Sequence, residues 1–303
     1  MAGWCKALHR EGVTIGLVPT MGALHAGHRA LMRAARLQCD AVVVSVFVNP
    51  AQFGPKEDFA QYPRRLHRDQ ILCRTEGIDV VFAPATASMY PDGFQTVVSV
   101  PAIARCWEGA ARPTHFQGVA TVVTKLLSLI RPHLAFFGQK DYQQAALIRR
   151  LVGDLNIDCD IVVLPTVRES DGLALSSRNV YLSRVERQAA PVLYRSLAAG
   201  AEALRKGTRS AKEIIRMMAG VMAQEPMAHV EYLAVCNPAT LEPLTTVRSD
   251  CVLLGAVRMG SIRLIDNLVV QTVSPGLSRR RGTPNRSGGD AGRRALSHQK
   301  TQD

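Results

Sequence analysis

The chain reads as an α/β protein: a doubly wound parallel sheet followed by a smaller α+β C-terminal unit. Three observations predict it. Short apolar runs rich in branched residues recur at 13–18, 41–48, 78–82, 133–137 and 161–164 and read as buried parallel strands. Helical patterns lie between them, clearest where Val119, Val122, Val123, Leu126, Leu127 and Ile130 repeat at helical spacing. After Asn179 the texture changes. Ser183-Arg-Val-Glu186 and Ser210-Ala-Lys-Glu213 fit the capping-box pattern, each opening an amphipathic helix. Helix-like patterns run to about Gln224, and strand-like runs follow at 230–236, 251–257 and 262–265. The expected division is therefore 1–182 for the parallel-sheet domain, 183–273 for a small lid domain and 274–303 for a tail.

Taken in order, residues 1–11 read as a helix and 13–18 as the first strand. That strand runs into Pro19-Thr20-Met21-Gly22-Ala23-Leu24-His25-Ala26-Gly27-His28, just before a helical pattern, so two histidines three residues apart sit at a strand-to-helix turn. The first N–H groups of a helix lack intrahelical acceptors and carry the positive end of its dipole, which favours a polyphosphate there. Gly22 and Gly27 have Walker A spacing, but His28 and Arg29 stand where that motif needs Lys and then Ser or Thr. A P-loop enzyme is disfavoured. Zinc is disfavoured too, because Ala26-Gly27 lacks the glutamate of H-E-x-x-H and no third ligand is near. A single such histidine would be an ordinary turn residue. A pair of imidazole donors suits the charge that develops on a transferring phosphate and on departing pyrophosphate, and Gly27 admits a nucleotide without a Cβ in its way.

Composition bounds the rest. The 303 residues are 47% hydrophobic, enough to build two modest cores without disulfide or metal staples. Seven scattered cysteines, with no C-x-x-C pair, fit reduced thiols in a cytoplasm. Neither a signal peptide nor a long apolar span is evident. The formal charge of +12 would fit nucleic acid, but much of it lies in Arg279, Arg280, Arg281, Arg286, Arg293, Arg294 and Lys300. That Ser/Gly/Pro-rich stretch reads as a disordered basic tail with no aromatics to stack on bases, so nucleic acid is disfavoured.

Three segments after strands carry further chemistry. Gln52 and Gln144 are neutral amides able to hold a hydroxyl and a carboxylate, although a lone glutamine is more often a surface residue. Lys140 and Asp141 read as the start of a helix directly after the strand at 133–137 and its Gly138, where a cation reaches phosphate and a carboxylate accepts from ribose hydroxyls. Alone, such a pair is usually just solvated. Residues 167–178 combine Gly172, hydroxyls and Arg178, whose guanidinium can fork onto phosphate oxygens. Alone, they would read as a polar loop.

Together these words carry a resemblance. His25-Ala-Gly-His28 resembles the HIGH signature of Rossmann-like nucleotidyltransferases. Residues 18–25, Phe47-Val48-Asn49-Pro50-Ala51-Gln52-Phe53, Phe137-Gly138-Gln139-Lys140-Asp141-Tyr142-Gln143-Gln144 and Ser176-Ser177-Arg178-Asn179 resemble, in that order, the pantothenate synthetase family. The likeness runs from about Gly12 to about Asn267.

The resemblance implies a ligase in which pantoate attacks the α-phosphate of ATP, giving pantoyl adenylate and pyrophosphate, after which β-alanine displaces AMP to form pantothenate. It implies that His28 is the principal catalytic donor, assisted by His25, Lys140 and Arg178. It places Gln52 against pantoate and β-alanine, and Gln144 against pantoate. It assigns ATP contacts to Met21, Gly22, Ala23, Leu24, His25, Ala26, Gly27 and His28, to Gly138, Gln139, Lys140 and Asp141, and to Val167, Leu175, Ser176, Ser177 and Arg178. Magnesium on the phosphates, no dedicated metal ligands and a homodimer are implied as well. Gln139, Gln117 and Leu175 depart from residues usual in the family (Glu, Arg and Met), relatives carry more chain before the first helix, and His115 lies in a family-like segment. Rival readings are another HIGH-motif nucleotidyltransferase, an RNA-binding protein acting through its tail, and a catalytically silent nucleotide-binding module.

Overall fold

The computed structural model describes residues 1–55 and 57–271; the basic tail expected at 274–303 lies outside them. In chain order, α1 (Ala2–Arg10), β1 (Ile15–Thr20), α2 (Ala26–Gln38), β2 (Ala41–Val46), α3 (Leu66–Thr75) and β3 (Val80–Phe82) form the first half-sheet. Three short helices follow, α4 (Thr86–Met89), α5 (Pro101–Ala104) and α6 (Glu108–Ala111). Then come α7 (His115–Ile130), β4 (Leu134–Gly138), α8 (Tyr142–Asp154) and β5 (Asp160–Leu164). The C-terminal part holds α9 (Arg184–Ala189), α10 (Val192–Arg205), α11 (Ala211–Met222), β6 (Ala228–Cys236), β7 (Cys251–Met259) and β8 (Ile262–Val270).

The first sheet is parallel, in the order β3-β2-β1-β4-β5, and the second is antiparallel, β6-β7-β8. This is the expected α/β architecture. Alternation along β1 and β2 explains why it is wound on both faces. Ile15, Leu17 and Val43 pack with α7 residues Val123 and Leu127, whereas Val18, Val42 and Val44 pack with Met32 and Ala35 of α2. A further core joins Leu193 and Leu197 of α10, Ile214 and Met218 of α11, and Leu253 and Val257 of β7.

Element boundaries shift where apolar content and backbone pairing part company. The apolar signal of the first strand ends at Val18, but its ladder with β2 continues through Thr20↔Val46, so the turn before α2 starts later than expected. Lys140 and Asp141 do not open α8; they close a 3₁₀ turn, Gln139–Asp141, ahead of it. The last strand, expected to stop at 265, runs to Val270, because the polar pair Asp266 and Asn267 masks its continuation. Ser183 and Glu186 form the anticipated reciprocal capping box. All seven cysteines are free thiols, six of them buried. Among the described residues no helix is long and apolar enough to cross a membrane.

Candidate active site

The turn between β1 and α2 is held open by a carboxylate the sequence reading did not single out. Asp69 of α3, almost fully buried, accepts from the N–H groups of Ala23 (3.0 Å) and Leu24 (2.9 Å). Thr20 reinforces the turn, accepting from Gly22 N–H and donating to Ser45 O. Gly22 has φ +81°, and a Cβ there would sit 2.9 Å from the Asp69 carboxylate; Ala23 shares the left-handed conformation. Asp69→Ala leaves two N–H groups without a partner, so thermal unfolding should register a loss of about 2–4 kcal/mol. A change below about 1 kcal/mol would mean that water replaces the carboxylate.

The spacing of the two histidines now has a local cause. His25 is the N-cap of α2, its Nδ1 accepting from Gly27 N–H (3.1 Å), while Nδ1 of His28 accepts from His25 N–H (3.3 Å). Two orphan donors are thus satisfied reciprocally, in the manner of a capping box. Because both Nδ1 atoms accept, each neutral ring carries its hydrogen on Nε2. The rings lie 4.1 Å apart, centroid to centroid. Gly27 is needed for a reason other than nucleotide approach: a Cβ there would meet the His25 ring at 2.9 Å.

Burial pushes His25 down to about 4, with the Lys140 charge adding to it, and His28 down to about 3, with His25 adding to it. Burial likewise lowers His115 to about 4, with Arg112 assisting. All three are neutral at pH 7. The unfolded chain protonates these groups near 6.5 and the native chain only near 4 or below, so stability should fall as pH drops from about 6.5 to about 4. His28→Gln should flatten that limb of a Tm-against-pH curve. An unchanged limb would exclude the His28 ring as a contributor.

One cavity of about 220 Å³ opens at the carboxyl ends of the parallel strands. Met21, His25, Gly27 and His28 line it, together with Gly138, Lys140 and Asp141, Val167 and residues 175–178, and both Gln52 and Gln144. Five expected contacts are off this wall. The N–H groups of Ala23 and Leu24 face Asp69, Gly22 shapes the turn, Ala26 is exposed, and the Gln139 side chain donates to Asn267.

The amide of Gln52 is set by neighbours that sequence reasoning missed. Buried Asn49 donates to Gln52 Oε1 (3.1 Å) and to Gly118 O (3.0 Å), and accepts from Tyr90 OH (2.8 Å). The main-chain carbonyl of Gln52 contacts Nδ1 of His115 at 2.9 Å and accepts from Arg112, which Glu57 holds. Arg178 makes a two-pronged ion pair with Asp58 at 3.0 and 2.9 Å, and Ser177 donates to Ala23 O, tying the second loop to the histidine turn. Ser45 and Thr166 line the cavity, and their buried hydroxyls have no internal partner. Asp141 is half exposed on the cavity wall; desolvation opposes its ionisation, but Lys140 and the arginines outweigh it and keep its carboxyl below the usual range.

The model of the family Pantoate-beta-alanine ligase matches residues 1–269. A pantothenate synthetase from Heliobacterium modesticaldum is 51% identical over 271 residues, covering 89% of this chain and 96% of the relative. The crystal structure of pantothenate synthetase from Thermus thermophilus superposes with a TM-score of 0.84 at 50% identity, over 88% of this chain and 96% of that one. The structure of pantoate-beta-alanine ligase from Francisella tularensis, complexed with beta-gamma ATP and beta-alanine, superposes with a TM-score of 0.70 at 34% identity, over 88% and 95% of the two chains.

Proposed function

This chain belongs to the pantoate-beta-alanine ligase family and joins pantoate to β-alanine as pantothenate, and from that premise we propose how its residues divide the work. ATP is the co-substrate. Its triphosphate lies against the N-terminus of α2 and meets the Nε2–H groups of His25 and His28, with Lys140 and Arg178 supplying positive charge. Pantoate is held by the Gln52 and Gln144 amides, which position its carboxylate without adding a competing charge. The observation that carries this reading is the convergence of both histidines, both amides and both cations on one cavity.

The carboxylate oxygen of pantoate attacks the α-phosphorus, the bond to the bridging oxygen breaks and pyrophosphate departs. His28 is the principal donor to the charge that develops. Adenylation turns a poor acyl donor into one with a good leaving group; the β-alanine amine then attacks the acyl carbon, loses a proton and expels AMP. The cavity holds the partners in register and limits hydrolysis of the acyl adenylate.

Among the described residues no group of three or more His, Cys, Asp and Glu side chains could form a resident metal cage. A magnesium ion arriving with the triphosphate needs only one or two protein carboxylates, and ionised Asp141 on the cavity wall fits that need. When bound, it would neutralise phosphate charge.

The second core, built from residues 173–270, supports treating 183–273 as a lid domain beside 1–182. The free thiols support a cytoplasmic location. A homodimer is carried over from the family. The test is nucleotide analysis with each substrate omitted in turn. Pyrophosphate release should need ATP and pantoate, and AMP release at turnover should also need β-alanine; AMP formation indifferent to β-alanine would overturn the two-step reading.

A further inference from the structure

Two adjacent polar residues in the last strand stand outside that mechanism. Asp266 and Asn267 are 5% and 1% exposed, in the middle of β8, where apolar side chains would satisfy the sheet at less desolvation cost. Neither lines the 220 Å³ cavity. Their polar atoms are nonetheless spent in an ordered way, each on a different segment of the proposed ATP site.

Asn267 grips the turn that carries Lys140. Its amide nitrogen donates to Gln139 O (2.8 Å) and Lys140 O (3.0 Å), and its Oδ1 accepts from Gln139 Nε2 (3.2 Å). Because both carbonyls require a donor, the amide has one usable orientation. Asp266 grips the root of the other loop, pairing with Arg168 at 2.5 and 2.9 Å. Arg168 in turn donates to Gly172 O and Asn267 O and lies over the Tyr194 ring at 4.2 Å. Asp266 also accepts from Asn267 N–H (2.8 Å), which links the two grips.

We propose that Asp266 and Asn267 are positioning residues for adenylation: through β8 they fix the spacing between the turn bearing Lys140 and the loop bearing Arg178, so that both cations address one triphosphate. This rests on the ATP reading above. It makes the C-terminal sheet a part of the nucleotide site. Pantoate is reached less directly, because Gln52 is held separately by Asn49 and His115, and Asn267 bonds Gln139 and Lys140 rather than Gln144.

The test is steady-state kinetics of Asn267→Ala, Asn267→Ser and Asp266→Asn, with ATP and pantoate varied separately and pyrophosphate release as the readout. Asn267→Ala should raise KM for ATP by about tenfold and lower kcat, while KM for pantoate stays within about twofold. Asn267→Ser keeps one donor and should fall between alanine and the parent, and it serves if the alanine variant does not fold. Asp266→Asn should raise KM for ATP through the loop alone. A lower Tm with both KM values unchanged would overturn the proposal, as would a rise in KM for pantoate equal to that for ATP. Lys140→Ala separates the failures. If it leaves KM for ATP unchanged, the ATP reading itself falls; if it raises KM and Asn267→Ala does not, only the positioning role falls.

Discussion

His28→Ala should lower the rate of pyrophosphate release by about 10²–10³-fold, the loss seen when one preorganised donor to a developing oxyanion is removed. The ring does two things, and alanine removes both. Its Nδ1 caps the N–H of His25, and its hydrogen-bearing Nε2 is assigned to the phosphates. His28→Gln separates them, since glutamine at the third helical position is a natural capping-box partner. The glutamine variant should regain most of the roughly 1 kcal/mol of capping stability lost in the alanine variant. Its activity should stay low. Near-parental activity in both variants would remove His28 from the chemistry and leave it a helix cap.

Most of the parallel sheet was legible because its central strands are buried on both faces, so branched apolar runs mark them. The C-terminal sheet was read only in part. Asp266 and Asn267 interrupt the apolar run in β8, and their partners lie more than 90 residues away in sequence, beyond any local pattern. The same holds for the site. The histidine turn, both amides and Arg178 announced themselves through short words at strand ends, and fourteen of the assigned positions line one cavity. What supports them did not. Asp69 under the turn and Asp58 beside Arg178 look like ordinary surface acids in the sequence, because backbone N–H acceptance and ion pairing leave no periodic trace. Asn49 was visible only as a neighbour of Gln52, although its amide connects a 3₁₀ turn to α7.

Gly118 makes that last connection testable. A Cβ on this residue would lie 2.3 Å from Ala51 O, 2.4 Å from Ala51 C and 2.5 Å from Gln52 N. All three are main-chain atoms, so no side-chain rotation relieves the overlap, and α7 and the turn Pro50–Gln52 must separate. Separation strains the Asn49 bond to Gly118 O and the His115 contact with the Gln52 main-chain O, and so displaces both the Gln52 backbone and the Asn49 side chain that holds the Gln52 amide. Gly118→Ala should therefore cost about 1–3 kcal/mol in unfolding free energy, the range for overpacking. It should also raise KM for pantoate by about tenfold or more, because a misplacement near 1 Å is costly in a preorganised site. KM for ATP should move less, since the histidine turn is pinned independently by Asp69. Gly153→Ala in α8 is the control, as a Cβ there meets nothing within 4 Å; it should be neutral or gain up to about 1 kcal/mol from helix propensity. If Gly118→Ala lowers Tm and leaves KM for pantoate unchanged, the close approach of α7 serves packing alone and the Gln52 amide is aimed by something else.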